Sequence, residues 1–200
     1  MHIDFYFDFI SPFGYFASLR IDELARRHGA TLAWRPMLLG VSVLKVMGSK
    51  PLMEIPLKSD YIRTEAARYC RKHGVRLGRS LDAAPMNPLP AARVFNLLAQ
   101  SSPEQAQAFA RSALHAYWVE NRPLDQPQEL IDAGSAAGLP ELLVRAALED
   151  PGAGASLRAS VEAAVARGVF GSPFILVNGE PFFGVDKLEL VEEWLASGGW

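Results

Sequence analysis

The residues best placed by type and spacing to do chemistry begin with Ser11 and Pro12. Serine followed by proline is a helix start, with serine at the N-cap and proline at the first helical position. Taken alone, the pair implies no more than a capped helix. It also leaves a hydroxyl at a helix N-terminus, where backbone N–H groups and the helix dipole favour an anion. Far along the chain, Ser172-Pro173 stands ahead of the apolar run Phe174–Val177. A cis bond there would let Ser172 offer its backbone N–H and C=O to an extended ligand. An ordinary trans proline at a strand start is the competing reading. Asp186 precedes Glu189 by the spacing of a capping box, and its carboxylate is equally suited to a ligand ammonium. Lys45, Ser49, Lys50 and Asn87 fall in irregular segments. An acidic aromatic ligand would find cationic and polar partners there, and simple solvation is the alternative.

Composition narrows the classes. The chain has 200 residues, half of them apolar, and a net charge of −2. That balance gives no basic surplus for nucleic acid. No apolar run approaches the ~20 residues that span a bilayer. The opening MHIDFYFDFISPF is apolar but has no basic leader and carries Asp4 and Asp8, so it reads as a strand, not a signal peptide. One cysteine, Cys70, rules out an intrachain disulfide and fits a reducing, cytoplasmic compartment. Its helical spacing from Ala66 and Gly74 suits a core position. His2, His28, His73 and His115 are scattered, without metal-ligand spacing. The run Arg68, Arg71, Lys72, His73, Arg76 and Arg79 reads as a helix C-terminus complementing its dipole, in preference to an anion site.

The elements that must position these residues can be laid out from pattern. Residues 2–9 read as a buried strand, 12 to about 28 as a helix stopped by Gly29, and 31–37 as a second strand. Residues 38–57 read as a loop. Helices are expected at 58–73, 90–100, 103–121, 126–137, 140–149 and 155–167, with Ser102-Pro103-Glu104-Gln105 as a capping box. Phe174–Val177 is a strand, Asn178-Gly179 a hairpin turn, Pro181–Phe183 the return strand, and Asp186 opens a last helix. The order is βαβ, helical insertion, ββα. That is an α/β thioredoxin-like core, from 1–37 and 168–200, interrupted by a large all-helical insertion at 38–167. Redox proteins of this arrangement carry Cys-x-x-Cys at the first helix. Ser11-Pro12-Phe13-Gly14 stands there instead, which removes disulfide exchange.

Three stretches carry a resemblance: Asp4-Phe-Tyr-Phe-Asp-Phe-Ile-Ser-Pro-Phe-Gly-Tyr, Gly168-Val-Phe-Gly-Ser-Pro, and Gly184-Val-Asp-Lys-Leu-Glu. The chain resembles the DsbA-related family that holds kappa-class glutathione transferases and 2-hydroxychromene-2-carboxylate isomerases. Ser11-Pro-Phe and the segment from Arg35-Pro-Met through Lys45 to Gly48-Ser-Lys-Pro lean towards the isomerases. The resemblance implies glutathione as cofactor and Ser11 as the catalytic serine. It implies cofactor contacts from Ser11, Ser172, Pro173, Phe183, Gly184, Val185 and Asp186. Relatives often carry Ser or Asn at the place of Val185, and Arg at the place of Lys187. It further implies conversion of a small aromatic carboxylate, 2-hydroxychromene-2-carboxylate, to trans-o-hydroxybenzylidenepyruvate in aromatic catabolism, and a possible homodimer. A kappa-type transferase or peroxidase and a non-catalytic thioredoxin-like binding domain are the alternatives.

A thiol of pKa ~8.5 is mostly protonated at neutral pH. A charge-assisted hydrogen bond from Ser11, at ~1.5–3 kcal/mol, plus a helix N-terminus at ~0.3–1 kcal/mol, would lower it by about 1.5–3 units.

Overall fold

Strand β1, His2–Phe7, runs through the middle of a four-stranded sheet and is buried on both faces. The computed structural model describes all residues from 1 to 200. Ile3, Phe5 and Phe7 fall on one face, as the two-residue period of a strand requires. There the Phe5 ring meets Trp34 at 4.9 Å and the Phe7 ring meets Phe95 at 5.0 Å, both edge-on. Tyr6 points to the other face, into a smaller cluster with Met37, Ala164, Val169, Phe174 and Leu176.

Strand β2, Thr31–Pro36, pairs parallel with β1, and β3, Phe174–Val177, pairs antiparallel on its other side. Strand β4, Glu180–Phe183, pairs antiparallel with β3, giving the order β2-β1-β3-β4. Asn178 (φ 49°) and Gly179 (φ 99°) make the tight turn between them. Between β2 and β3 lie helices α3 (Lys58–His73), α4 (Leu89–Ser101), α5 (Pro103–Trp118), α6 (Pro127–Ala136), α7 (Glu141–Glu149) and α8 (Ala153–Ala166), with no strand among them. This is the α/β thioredoxin-like core with an all-helical insertion. Helix α3 ends on left-handed Gly74 with Arg71, Lys72 and His73 in its last turn, as the dipole favours. Ser102 caps α5 by accepting the Gln105 N–H at 3.4 Å. No helix is long and apolar enough to cross a membrane.

Four local expectations are corrected. The helix expected from 12 to 28 is two, α1 (Pro12–Ser18) and α2 (Ile21–Arg27). The chain tightens through Leu19 and Arg20, whose N–H groups reach back three residues, while the Ser18 hydroxyl donates to the Tyr15 carbonyl at 2.6 Å. Residues 38–57 are not simply a loop: Gly40–Val46 is π-helical and Leu52–Glu54 is a 3-10 turn. Wide backbone closures such as Met47 N–H to the Ser42 carbonyl (3.0 Å) have no 3.6-residue signature in sequence. Asp186 does not cap the last helix. Val185–Lys187 is a 3-10 turn, α9 spans Leu188–Ser197 without a side-chain cap, and Glu189 pairs with Arg20 at 3.0 Å.

The first strand ends at Phe7 instead of residue 9, because Asp8 turns its hydrogen bonds away from the sheet. Its N–H donates to Ser172 Oγ at 3.0 Å, while its carboxylate accepts the N–H of Ile10 at 3.2 Å and of Leu39 at 2.7 Å. The Phe9 carbonyl next to it accepts from Trp118 Nε1 of α5 at 3.0 Å. Asp8 is 1 % exposed, and burial pushes its carboxyl up to about 6 against the pull of the backbone N–H groups around it.

Two stability measurements follow from these contacts. Trp118→Phe leaves the buried Phe9 carbonyl without a donor and should cost about 1–3 kcal/mol in urea unfolding, with an unchanged m value. A loss below about 0.5 kcal/mol would mean that the bond holds nothing in place. Between pH 4 and 6 the folded Asp8 keeps a proton that the unfolded chain has given up. Its contribution to stability is therefore present below pH 4 and lost as pH rises through 6, by about 3 kcal/mol for a shift of ~2 units. Asp8→Asn should remove this decline, so the stability difference between variant and wild type should move in favour of the variant as pH rises. A difference that does not change with pH would contradict it.

Candidate active site

Ser11 sits at the N-cap of α1 with extended backbone, φ −93° and ψ 116°. Its Oγ accepts the Gly14 N–H at 3.0 Å and donates to the Ser172 carbonyl at 2.9 Å. The side chain is buried, 3 % exposed. The Ser172–Pro173 peptide bond is cis. The Ser172 carbonyl has the Ser11 hydroxyl as its one partner in the chain, and the Ser172 N–H has none. A strand edge offers a peptide the same kind of N–H and carbonyl pair, although here only the N–H is unfilled.

Gly14 makes the approach of these two segments possible. A Cβ there would lie 2.5 Å from Ser172 Oγ. On the far side, the Pro173 carbonyl accepts the Gly184 N–H at 3.1 Å. Gly184 adopts φ 110°, and a Cβ on it would run into the Asp186 carboxylate. The Val185–Lys187 turn packs against α1. Ser11, Ser172, Pro173, Phe183, Gly184, Val185 and Asp186 thus converge at one end of the sheet.

Their roles differ in what the geometry leaves free. The Val185 side chain is buried in the main core, so that residue presents only its backbone to the site. Asp186 is exposed and pairs with Lys187 Nζ at 2.7 Å, which raises the pKa of the lysine. Since Asp186 caps no helix, its carboxylate is not committed to the backbone. Phe183 is partly exposed, its ring 4.6 Å from that of Phe170. Lys45, Ser49 and Lys50 are exposed on and after the π-helical segment, and no side-chain hydrogen bond joins them to Ser11, Ser172 or Asp186. Asn87 is exposed, and its Oδ1 accepts the Leu89 N–H at 3.1 Å at the start of α4.

A peptide-like thiol such as glutathione fits the groups present. Ser172 supplies an open N–H and a carbonyl, and the Ser11 hydroxyl stands beside that carbonyl. Two features reduce the expected effect on a thiol. Helix α1 has seven residues, so its dipole is short. The Ser11 proton is already given to the Ser172 carbonyl, so a bond to sulfur replaces one of about 1 kcal/mol. The net gain is then about 0.5–2 kcal/mol, or about 0.4–1.5 pKa units. Cys70, the one thiol of the chain, is half-buried in α3 with its pKa pushed up by that burial, and is no substitute for an activated thiol.

Sequence reasoning missed Asp8, Trp118 and the role of Gly14. A carboxylate inside the aromatic run Phe5–Phe9, just ahead of Ser11, is a signal for the first of these. The tryptophan carries no local signal, since its partner Phe9 is over a hundred residues away.

Residues 2–196 match the family model of the DSBA-like thioredoxin domain. A 2-hydroxychromene-2-carboxylate isomerase of Sphingobium xenophagum is 31% identical over 96% of this chain and 97% of its own. Glutathione S-transferase kappa 1 of Caenorhabditis elegans is 26% identical over 96% of this chain and 90% of its own. A solved structure of a 2-hydroxychromene-2-carboxylate isomerase superposes with a TM-score of 0.82 at 25% identity, covering 98% of this chain and 95% of that one. The sheet order, the cis bond beside Ser11 and these likenesses agree, and the chain belongs to the DSBA-like thioredoxin family.

Proposed function

We propose that the protein is a glutathione-dependent isomerase that converts 2-hydroxychromene-2-carboxylate to trans-o-hydroxybenzylidenepyruvate in aromatic catabolism. The observation that carries the reading is the Ser11 hydroxyl 2.9 Å from the carbonyl of Ser172, in a chain whose only cysteine lies elsewhere. The full-length likeness to isomerases supports the reaction, and the likeness to kappa-class transferases supports the cofactor. A reducing, cytoplasmic setting suits both a free thiol and glutathione.

The chemistry that glutathione supplies when bound is reversible thiolate addition to the conjugated system, which makes a double bond free to rotate and restores it on elimination. The chain's own residues prepare for this. The Ser172 carbonyl and N–H take up an extended backbone as a sheet edge does. Once that carbonyl has another donor, the Ser11 hydroxyl can turn its proton to sulfur. The Gly14 N–H keeps the Ser11 oxygen fixed meanwhile. Asp186 holds the γ-glutamyl ammonium at the far end. Lys45, Ser49, Lys50 and Asn87 form the side from which the aromatic carboxylate is received.

The expected outcome is interconversion of the two substrates only when glutathione is present, with total reduced glutathione unchanged. Stoichiometric loss of glutathione would instead establish the transferase reading that the kappa-class relatives favour. Equal rates with and without it would leave a binding domain. In Ser11→Ala, the ultraviolet absorbance of the bound thiolate should titrate about one unit higher, and turnover at neutral pH should fall about tenfold. An unmoved titration would show that the hydroxyl does not activate the thiol. Asp186→Ala should weaken glutathione binding several-fold and leave that titration in place. A shifted titration with unchanged affinity would put Asp186 at the wrong end of the ligand.

A further inference from the structure

Asp8 takes no part in the chemistry above, yet its polar atoms serve the site on both sides. Its N–H donates to Ser172 Oγ (3.0 Å) and its carbonyl accepts the Ser11 N–H (3.0 Å). Carboxylate Oδ1 accepts the Ile10 N–H (3.2 Å) and Oδ2 the Leu39 N–H (2.7 Å). Leu39 immediately precedes the π-helical segment Gly40–Val46, which carries Lys45 and leads to Ser49 and Lys50. Such segments are rare and are kept mostly where function needs them.

No charged side chain accounts for the burial of Asp8; its ionisation is set by burial and backbone N–H groups alone. On the same side of the sheet, Asp4 and Tyr6 of β1, Arg35 of β2 and Arg167 after α8 are bonded among themselves. Arg35 and Arg167 reach Asp4 at 3.0 Å and 2.8 Å, Arg167 reaches Tyr6 at 2.6 Å, and none reaches Asp8. The two backbone donors approach separate oxygens of this one side chain. Asparagine offers one oxygen and would turn an amide N–H towards the other donor. A neutral replacement would thus relieve the burial of charge and give up one of the two anchors.

We propose that Asp8 is a positioning residue: its carboxylate clamps the start of the Gly40–Val46 segment to the loop that presents Ser11, and so sets the electrophile side of the site. The kinetic part of this inference rests on the isomerase reading above; the clamp itself does not.

The test combines pH kinetics with hydrogen exchange, on wild type, Asp8→Asn and Leu39→Pro. The proline ring accepts the Leu39 φ of −58° and removes the same N–H from the other end without touching Asp8. Loss of thiolate alone lowers kcat/KM about tenfold per pH unit below the thiol pKa. In wild type the slope should approach double over about one pH unit below about pH 6, as Asp8 takes up its proton and a further tenfold is lost. Asp8→Asn should keep the single slope. At neutral pH both variants should raise KM for the chromene carboxylate about tenfold and leave glutathione affinity within about threefold. A double slope that survives in Asp8→Asn, or a KM unmoved in both variants, overturns the proposal. Should no turnover be seen in any form, the isomerase reading fails and amide exchange across 39–47 decides alone. Exchange about tenfold faster in Asp8→Asn, with α5 unchanged, supports the clamp, and unchanged exchange there overturns it.

Discussion

The hydrogen bond from the Ser11 hydroxyl to the Ser172 carbonyl joins the two ends of the chain that build the sheet, across a sequence separation of 161 residues. Much of the local geometry exists to make it possible. β3 must pair antiparallel with β1, with Phe174 opposite Tyr6, to bring Pro173 to the loop after β1. Gly14 must lack a side chain, since even a Cβ would collide with Ser172 Oγ. The Gly184 N–H must hold the Pro173 carbonyl, which draws the Val185–Lys187 turn to the same end of the sheet. This bond also occupies the proton that a sulfur anion would want. Activation of a thiol is therefore an exchange of partners, and its strength is the difference between two hydrogen bonds, not the full value of one.

The loop from Asp8 to Ser11 has little regular structure, and its rigidity comes from distant groups. Trp118 of α5 holds the Phe9 carbonyl, and the Asp8 carboxylate holds two N–H groups that no strand neighbour could reach. A buried carboxylate without a cationic partner weakens the folded state at neutral pH. Asp4 shows the contrast two turns of the pleat away. It too is buried, though less deeply than Asp8, and Arg35 and Arg167 hold its carboxyl below the usual range in spite of burial. The same side chain therefore serves an ion-pair network within β1 and backbone anchoring just after its end.

The helical insertion is not an appendage to the sheet. Phe5, Phe7 and Phe9 project from one face of the first strand and its extension into Trp34, Phe95 and Phe109, and the apolar core continues from there through α4, α5 and α6. Edge-on aromatic contacts of this kind add roughly 0.5–1.5 kcal/mol each beyond area burial. The segment from Leu39 to Leu57, by contrast, exposes Leu44, Val46, Met47 and Leu52; its start is anchored by the Asp8 carboxylate and by the packing of Leu39 and Val41. Core packing fixes Ser11, Ser172 and the Val185–Lys187 turn. The segment that carries Lys45 has a thinner apolar footing and leans more on hydrogen bonds.

Sequence by itself determined the elements whose signals are local. Alternating aromatics specify β1, Asn178-Gly179 specifies the hairpin, Ser11-Pro12 starts a helix, and Gly74 ends one; each acts within a few residues, through backbone preference or a two- or 3.6-residue period. Those signals, with strands confined to the two ends, were enough for the fold; the convergence of Ser11 with Ser172 and Pro173 was legible only through the resemblance to a known family. Tertiary structure decided what depends on groups distant in sequence. Asp186 resembles a cap until the chain tightens into a 3-10 turn at Val185–Lys187 and α9 begins without it. That the side chain of Val185 enters the core and leaves only its backbone at the site is likewise decided by packing. Asp8 resembles an interruption of a strand until Leu39 and Ser172 arrive from 31 and 164 residues away. A hydrogen bond between remote segments leaves no periodic trace in sequence, because its partners become neighbours only once the chain has packed.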